Sequence, residues 1–315
     1  MQLDTDIRRV VTLAWPSDGD YKMSRGRSIR IYLDGGEVSG IRHAELVNWT
    51  GQALLCPRSR VGELATRWQS VVCRPGVYFL VGGDDHSGRD VYIGEAEDVL
   101  DRLKQHVSKK EWQEAIIFTS KDENLTKSHV KFLESHLVTK ARDAHRYSVQ
   151  NGNTPTMSGL PRADQDAMEE YMDQVPVLLG VLGHRILDPL TAAVAPSAAD
   201  RRYVYSVKEA KAFGIVTDEG LVVLKGSTAL HGTTPTMTPG WIAIKTELLA
   251  SGKMKAKGDL LVFNEDVLFN SPSAAAAVVY GNVANGRLVW RTQDGRSLKE
   301  VEESEAGALP STTVK

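Results

Sequence analysis

The chain has 315 residues, 42% hydrophobic and 25% charged, with a formal net charge of −2. No run of about 18 apolar residues suits a membrane span, and the polar start Met1-Gln-Leu-Asp-Thr-Asp6 does not read as a signal peptide. The near-neutral balance argues against a general nucleic-acid binder, and two cysteines, Cys56 and Cys73, exclude a disulfide scaffold or a cysteine-rich zinc site and fit a reducing, cytoplasmic setting.

The length implies two or three domains. Residues 1–72 read as a β-rich unit. Ser28-Ile-Arg-Ile-Tyr-Leu33 alternates polar and apolar before the turn Asp34-Gly35-Gly36, Gln52–Cys56 is a second short strand closed by Pro57, and 60–69 suits a helix. Residues 73–188 follow as strand (77–81), strand (91–94), helix (96–107), strand (115–119) and long helix (126–146). Residues 189–202, rich in Pro, Ala and Ser, read as a linker. In 203–305, Ser271-Pro272 starts a helix that Gly281 stops, Leu288–Arg291 reads as a strand, and Asp294-Gly295 as a turn. Residues 306–315 read as a flexible tail.

The middle unit concentrates chemistry. Ten Lys and Arg residues and four of the eight histidines fall between Arg102 and Arg146, so one face is expected to be basic although the whole is not. Arg102 and His106, four apart, share a helix face away from the stripe Val99, Leu100, Leu103 and Val107. On the second helix Val130, Leu133, Leu137, Val138 and Ala141 form an apolar stripe, and Glu134 points within it. A carboxylate there requires a cationic partner, either an arginine such as Arg102 or a hard metal ion. On the first two strands, Val77, Phe79, Val81, Val91 and Ile93 take one face, which leaves Tyr78 and Tyr92 on the opposite, non-core face. Between them, Gly82 to Asp90 reads as a polar, flexible insert.

The pair Gly76-Val77-Tyr78 and Tyr92-Ile93-Gly94, followed by Arg102, His106, Glu134 and Asn151 in order, resembles the GIY-YIG nuclease family over residues 74–155. The resemblance implies an α+β fold with a β-β-α-β-α core: a small three-stranded mixed sheet with flanking helices. It implies hydrolysis of DNA phosphodiesters with one Mg²⁺ or Mn²⁺ held by Glu134. Arg102 would contact the scissile phosphate, Tyr78 would orient or deprotonate the attacking water, and Tyr92 and His106 would support that network. Gly76, Gly94 and Asn151 would be supporting residues, and Lys104, Lys109, Lys110 and Lys127 would meet the substrate backbone. The metal and Arg102 are expected to lower the Tyr78 pKa. Many members carry lysine directly after the second tripeptide; this chain has Glu95, so a mechanism that needs that lysine does not transfer. The competing readings are a nucleic-acid-binding module without catalysis and a structural adaptor of a defence or repair complex. The segment Phe269–Gly281, with Trp290 and Asp294-Gly295-Arg296, resembles a small domain family of unknown function often joined to such nucleases and to restriction-modification proteins.

Overall fold

The computed structural model describes residues 26–84, 88–152, 159–191 and 201–307. The expected tail and most of the expected linker lie outside these residues, as does the N-terminal segment. The fold is mixed α+β. Among the described residues, no helix is long and apolar enough to cross a membrane.

Seven strands form the first sheet: β1 (Ile29–Leu33), β2 (Arg42–Leu46), β3 (Gly51–Pro57), β4 (Gly76–Asp84), β5 (Gly88–Ala96), β6 (Glu114–Ser120) and β7 (Ser148–Val149). Their order is β1-β2-β3-β6-β4-β5-β7. Residues 26–72 are thus not a separate unit. β3 pairs with β6 along its whole length, Gly51 opposite Ser120 through Pro57 opposite Glu114, so the boundary placed at 72/73 lies within one continuous sheet. Nor are β4, β5 and β6 a free-standing mixed sheet. They pair antiparallel, and the parallel pairing falls between β5 and β7.

Period-two alternation along the central strands feeds two cores, one on each face. Val77, Phe79, Val81, Val91, Ile93, Ile116 and Phe118 pack under α4 (Lys127–Ala144) and α5 (Arg162–Val181). The other parity, Leu54, Cys56, Tyr78, Leu80, Ala115 and Ile117, packs under α1 (Val61–Arg67), α2 (Gln69–Val72) and α3 (Val99–Val107). The tyrosine face, read from the sequence as non-core, therefore carries a core of its own. Burying each large apolar side chain in these layers contributes about 1.5–3 kcal/mol. The Gly82–Asp90 insert is also more regular than its composition implied: Gly82 pairs with Asp90 and Gly83 with Arg89, so the hairpin continues through most of it.

The stripe expected on α4 is present, with Val130, Leu133, Leu137, Val138 and Ala141 fully buried. Thr126 caps this helix reciprocally with His129, and the Asp98 carboxylate caps α3 by accepting from the Asp101 N–H.

The C-terminal part contains the sheet β14-β10-β9-β8 and the sheet β11-β13-β12. The strands are β8 (Tyr203–Val207), β9 (Ala210–Thr217), β10 (Gly220–Val223), β11 (Thr228–Leu230), β12 (Met254–Lys257), β13 (Leu260–Phe263) and β14 (Val267–Phe269), and the helices are α6 (Pro239–Ala250), α7 (Pro272–Tyr280), α8 (Gly286–Val289) and α9 (Leu298–Gly307). α7 begins at the Ser271 cap and ends on Gly281 at φ 74°, as its sequence signals require. Ala274 to Val279 are buried on every side, the pattern of a central helix. Leu288–Arg291 is not the expected strand. α8 occupies 286–289 because Asn285 caps it, Trp290 is buried with its indole N–H donating to the Pro272 carbonyl at 3.0 Å, and only Arg291 bridges to Val204 and Ser297. Arg146 and Arg185 both pair with Glu219, at 2.7 and 2.6 Å, and so tie the two parts together.

Candidate active site

The Tyr–Gly pairing on neighbouring strands follows from register. Tyr78 on β4 lies opposite Gly94 on β5, and Leu80 lies opposite Tyr92. The Tyr78 ring lies over Gly94. A Cβ at that glycine would sit 2.3 Å from the phenolic oxygen and 2.5 Å from Cζ. Gly76 answers a different need, since a Cβ there would lie 2.5 Å from the Phe118 carbonyl of β6. Each glycine of the motif is thus a close approach, of a ring in one case and of backbone in the other.

Tyr78 is fully buried, and its hydroxyl lies 2.8 Å from His106 Nε2. Tyr92, half-buried, completes a triangle of rings whose centroids stand 6.4 Å (Tyr78–Tyr92), 5.5 Å (Tyr78–His106) and 5.4 Å (Tyr92–His106) apart. α3 positions two members of the group: His106 turns into the layer, while Arg102, one turn earlier, is exposed at its rim. The Arg102 guanidinium acts on both phenols, and hydrogen bonding to Tyr78 is the main reason its pKa is raised. α4, on the opposite face of the sheet, brings Glu134 to the same edge, where its carboxylate accepts from the Glu95 backbone N–H. The five residues singled out as catalytic candidates are therefore brought together from four elements.

Electrostatics distinguish their protonation states. Burial pushes His106 down to about 4, helped by Arg102, Lys110 and Lys109, so the imidazole is neutral at pH 7. Burial raises the Tyr78 phenol above its ordinary range, with Arg102 opposing. The expected lowering of Tyr78 is thus reversed in the protein alone, because desolvation outweighs the cation. With the phenol protonated and the imidazole neutral, the direction of this hydrogen bond follows the histidine tautomer: Tyr78 O–H donates when the imidazole proton is on Nδ1, and Nε2–H donates when it is not. Burial and then the Glu95 charge push Glu134 up to about 7, against Arg102, Lys131 and the Glu95 N–H. Among the described residues, no three His, Cys, Asp or Glu side chains cluster as a metal site. Glu134 is a lone carboxylate of the kind that holds Mg²⁺ or Mn²⁺ when water and substrate phosphate supply the other oxygens, and its raised pKa marks a charge that a cation would relieve.

Asn151 works on the backbone. Its Oδ1 accepts from Ile93 N–H at 3.0 Å and its Nδ2 donates to Ile93 C=O at 2.7 Å, continuing the β7–β5 ladder with a side chain. Asn151→Ala would leave both Ile93 groups unpaired next to Tyr92. The expected cost is about 1–3 kcal/mol, read as a Tm fall of several degrees in a scanning melt.

The lysines divide. Lys110 Nζ lies 2.9 Å from the Tyr92 ring centroid, and Lys109 is exposed at the end of α3. Lys104 pairs with Asp101 at 3.1 Å and Lys127 with Glu97 at 2.6 Å, so both are already engaged by acids. Sequence reasoning passed over Asp90, which shares its strand face with Tyr92; the period-two rule could have found it. A cavity of about 530 Å³ lies between the two parts of the chain, away from the tyrosines; Arg146, Arg185 and Glu219 line it, and both arginines bind Glu219.

Residues 203–302 match the model of a domain family described as a domain of unknown function (DUF4357). No curated protein and no solved structure matches the chain.

Proposed function

We propose that this protein is a metal-dependent endonuclease that hydrolyses DNA phosphodiester bonds by the GIY-YIG mechanism and works in the cytoplasm, in restriction, defence or repair. The observation that carries this reading is the convergence of Tyr78, Tyr92, Arg102 and His106 with Glu134 at one sheet edge, on elements that follow the order β-β-α-β-α.

In this reading, Arg102 offers its planar fork to the scissile phosphate, at the exposed rim where a strand can reach it. The Tyr78 oxygen takes a proton from the attacking water as its own passes to His106 Nε2, which stands 2.8 Å away and accepts in the tautomer that carries its proton on Nδ1. Tyr92 holds the imidazole and Arg102 in register. A Mg²⁺ or Mn²⁺ at Glu134 would supply Lewis-acid stabilisation of the charge that gathers on phosphate and leaving oxygen. Glu95 takes no part in proton transfer: its N–H orients the Glu134 carboxylate and its charge raises that group's affinity for a cation or a proton. Lys109 and Lys110 extend the positive field along the substrate backbone. The C-terminal domain would bind DNA or a protein partner.

The test is nicking of supercoiled plasmid and of single-stranded DNA with Mg²⁺ or Mn²⁺. Tyr78→Phe keeps the ring over Gly94 and removes only the hydroxyl; the expected loss of rate is roughly 10²–10⁴-fold, with a stability change of about 1 kcal/mol. Arg102→Ala is expected to lose a comparable factor. Wild-type rates in Tyr78→Phe would overturn the assignment. Salt-sensitive DNA retention without cleavage by the native protein would replace it with a binding module.

A further inference from the structure

The face that carries the tyrosines holds a second Gly–side chain pair. Gly82 on β4 lies opposite Asp90 on β5, and a Cβ at Gly82 would sit 2.3 Å from Asp90 Oδ1. One row therefore runs Asp90, Tyr92, Gly94 along β5 and the facing row runs Gly82, Leu80, Tyr78 along β4, and the glycine at one end of each makes room for the group across from it, Gly82 for Asp90 and Gly94 for Tyr78. The hairpin holds the Asp90 carboxylate as deliberately as it holds the Tyr78 ring.

Beside this row opens a cavity of about 300 Å³, at the lower end of the range for small-ligand pockets. Tyr92 and Trp112 form its aromatic walls; Asp90, Glu111, Gln150 and Lys110 surround them. The walls are fixed. Trp112 is buried, with the Arg58 guanidinium 5.6 Å from its ring centroid, and the Gln150 backbone N–H is bonded to the Val91 carbonyl at 2.8 Å. The charge balance excludes a phosphate as occupant, because two carboxylates face one ammonium. Aromatic walls with carboxylate and amide groups suit instead a flat, neutral heterocycle that presents N–H donors.

We propose that this cavity receives one unpaired nucleobase adjacent to the scissile phosphate, and that Asp90 selects a base whose edge carries adjacent N–H groups, guanine before the others. The proposal rests on the nuclease reading for its location, since Tyr92 is shared between the cavity and the ring triangle. A carboxylate accepts two N–H bonds side by side, which guanine N1–H and N2–H supply, whereas thymine offers a single N–H between two carbonyls that Asp90 would repel. The base must leave its stack to enter, so single-stranded or distorted DNA is the substrate class.

The test is binding, measured by fluorescence anisotropy in chelator so that no cleavage occurs. The probes are labelled single strands of thymidine with one central guanine, hypoxanthine, cytosine, adenine or thymine. The guanine strand is expected to bind roughly tenfold or more tightly than the all-thymine strand, with hypoxanthine, which lacks the exocyclic amine, in between. Asp90→Asn keeps the side-chain shape and is expected to erase the guanine preference; a thermal melt checks that it folds, and Glu111→Gln, at an exposed position, gives an independent reduction. Equal binding of all five strands, no binding of any, or a preference that survives in Asp90→Asn would each overturn the proposal. Cleavage without base preference rejects the base pocket and leaves the nuclease reading standing; base preference without cation-dependent cleavage does the reverse.

Discussion

Glu134→Gln is expected to cut cation-dependent cleavage steeply and, in the same molecule, to stabilise the cation-free protein above neutral pH. The carboxyl has an ordinary value of 4.5 and is pushed up to about 7 in the fold, first by burial and then by Glu95. The folded state therefore holds the proton more tightly than the unfolded one. The stability tied to this group is fully present below about pH 4.5 and is lost as pH rises through about 7. Glutamine keeps an oxygen to accept the Glu95 N–H and carries no charge, so it escapes that loss. Because Glu134 is partly exposed, the gain at pH 8 is about 1–3 kcal/mol, and it should vanish near pH 4.5. Melting curves of both proteins across this range, in chelator, give the comparison. Added Mg²⁺ should raise the Tm of the native protein and leave that of Glu134→Gln unchanged. Cleavage is expected to fall by roughly 10²–10³-fold or more, the scale for losing a main electrostatic contributor. Equal cleavage by the two proteins would remove Glu134 from the mechanism. A Tm difference that does not change with pH would show that the carboxylate is not strained by its surroundings.

Gly94→Ala is the second large effect. The added methyl carbon would lie 2.3 Å from the Tyr78 oxygen, 2.5 Å from Cζ and 2.9 Å from Cε2. These atoms belong to a rigid, fully buried ring, so no flexible side-chain end can yield. Either the ring leaves its bond with His106 or β5 moves away from it. Overpacking of this kind costs about 1–3 kcal/mol, and cleavage should fall at least as far as in Tyr78→Phe. Gly62→Ala is the control. It lies in α1, where a Cβ would meet nothing within 4 Å, and alanine there is expected to be neutral or stabilising by up to about 1 kcal/mol. Similar Tm shifts for the two variants would mean that Tyr78 does not depend on Gly94.

Local patterns made much of the molecule legible. A 3.6-residue period located the α4 stripe and placed Glu134 within it, because neighbours on a helix face are close in sequence. The same holds for the Ser271-Pro272 start and Gly281 stop of α7, since capping is a matter of a few residues. Leu288–Arg291 misled, because a short apolar run does not say whether an Asn285 cap will wind it into a helix.

The sequence by itself determined the strand faces, the helix faces, and the residue types that could do phosphodiester chemistry: two tyrosines beside glycines, an arginine and a histidine one turn apart, and a carboxylate on an apolar stripe. Tertiary structure alone decided that β3 joins β6, which pairs residues some 60 positions apart and turns two expected units into one sheet. It also decided that α1, α2 and α3 cover the tyrosine face. That cover buries Tyr78, raises its phenol and lowers His106, so the charge states of both are set by desolvation, which no spacing along the chain encodes. The motif glycine Gly94, and Gly82 beyond the motif, gained their meaning in the same way: both matter for the groups that lie across from them, and those neighbours exist only once the strands have paired.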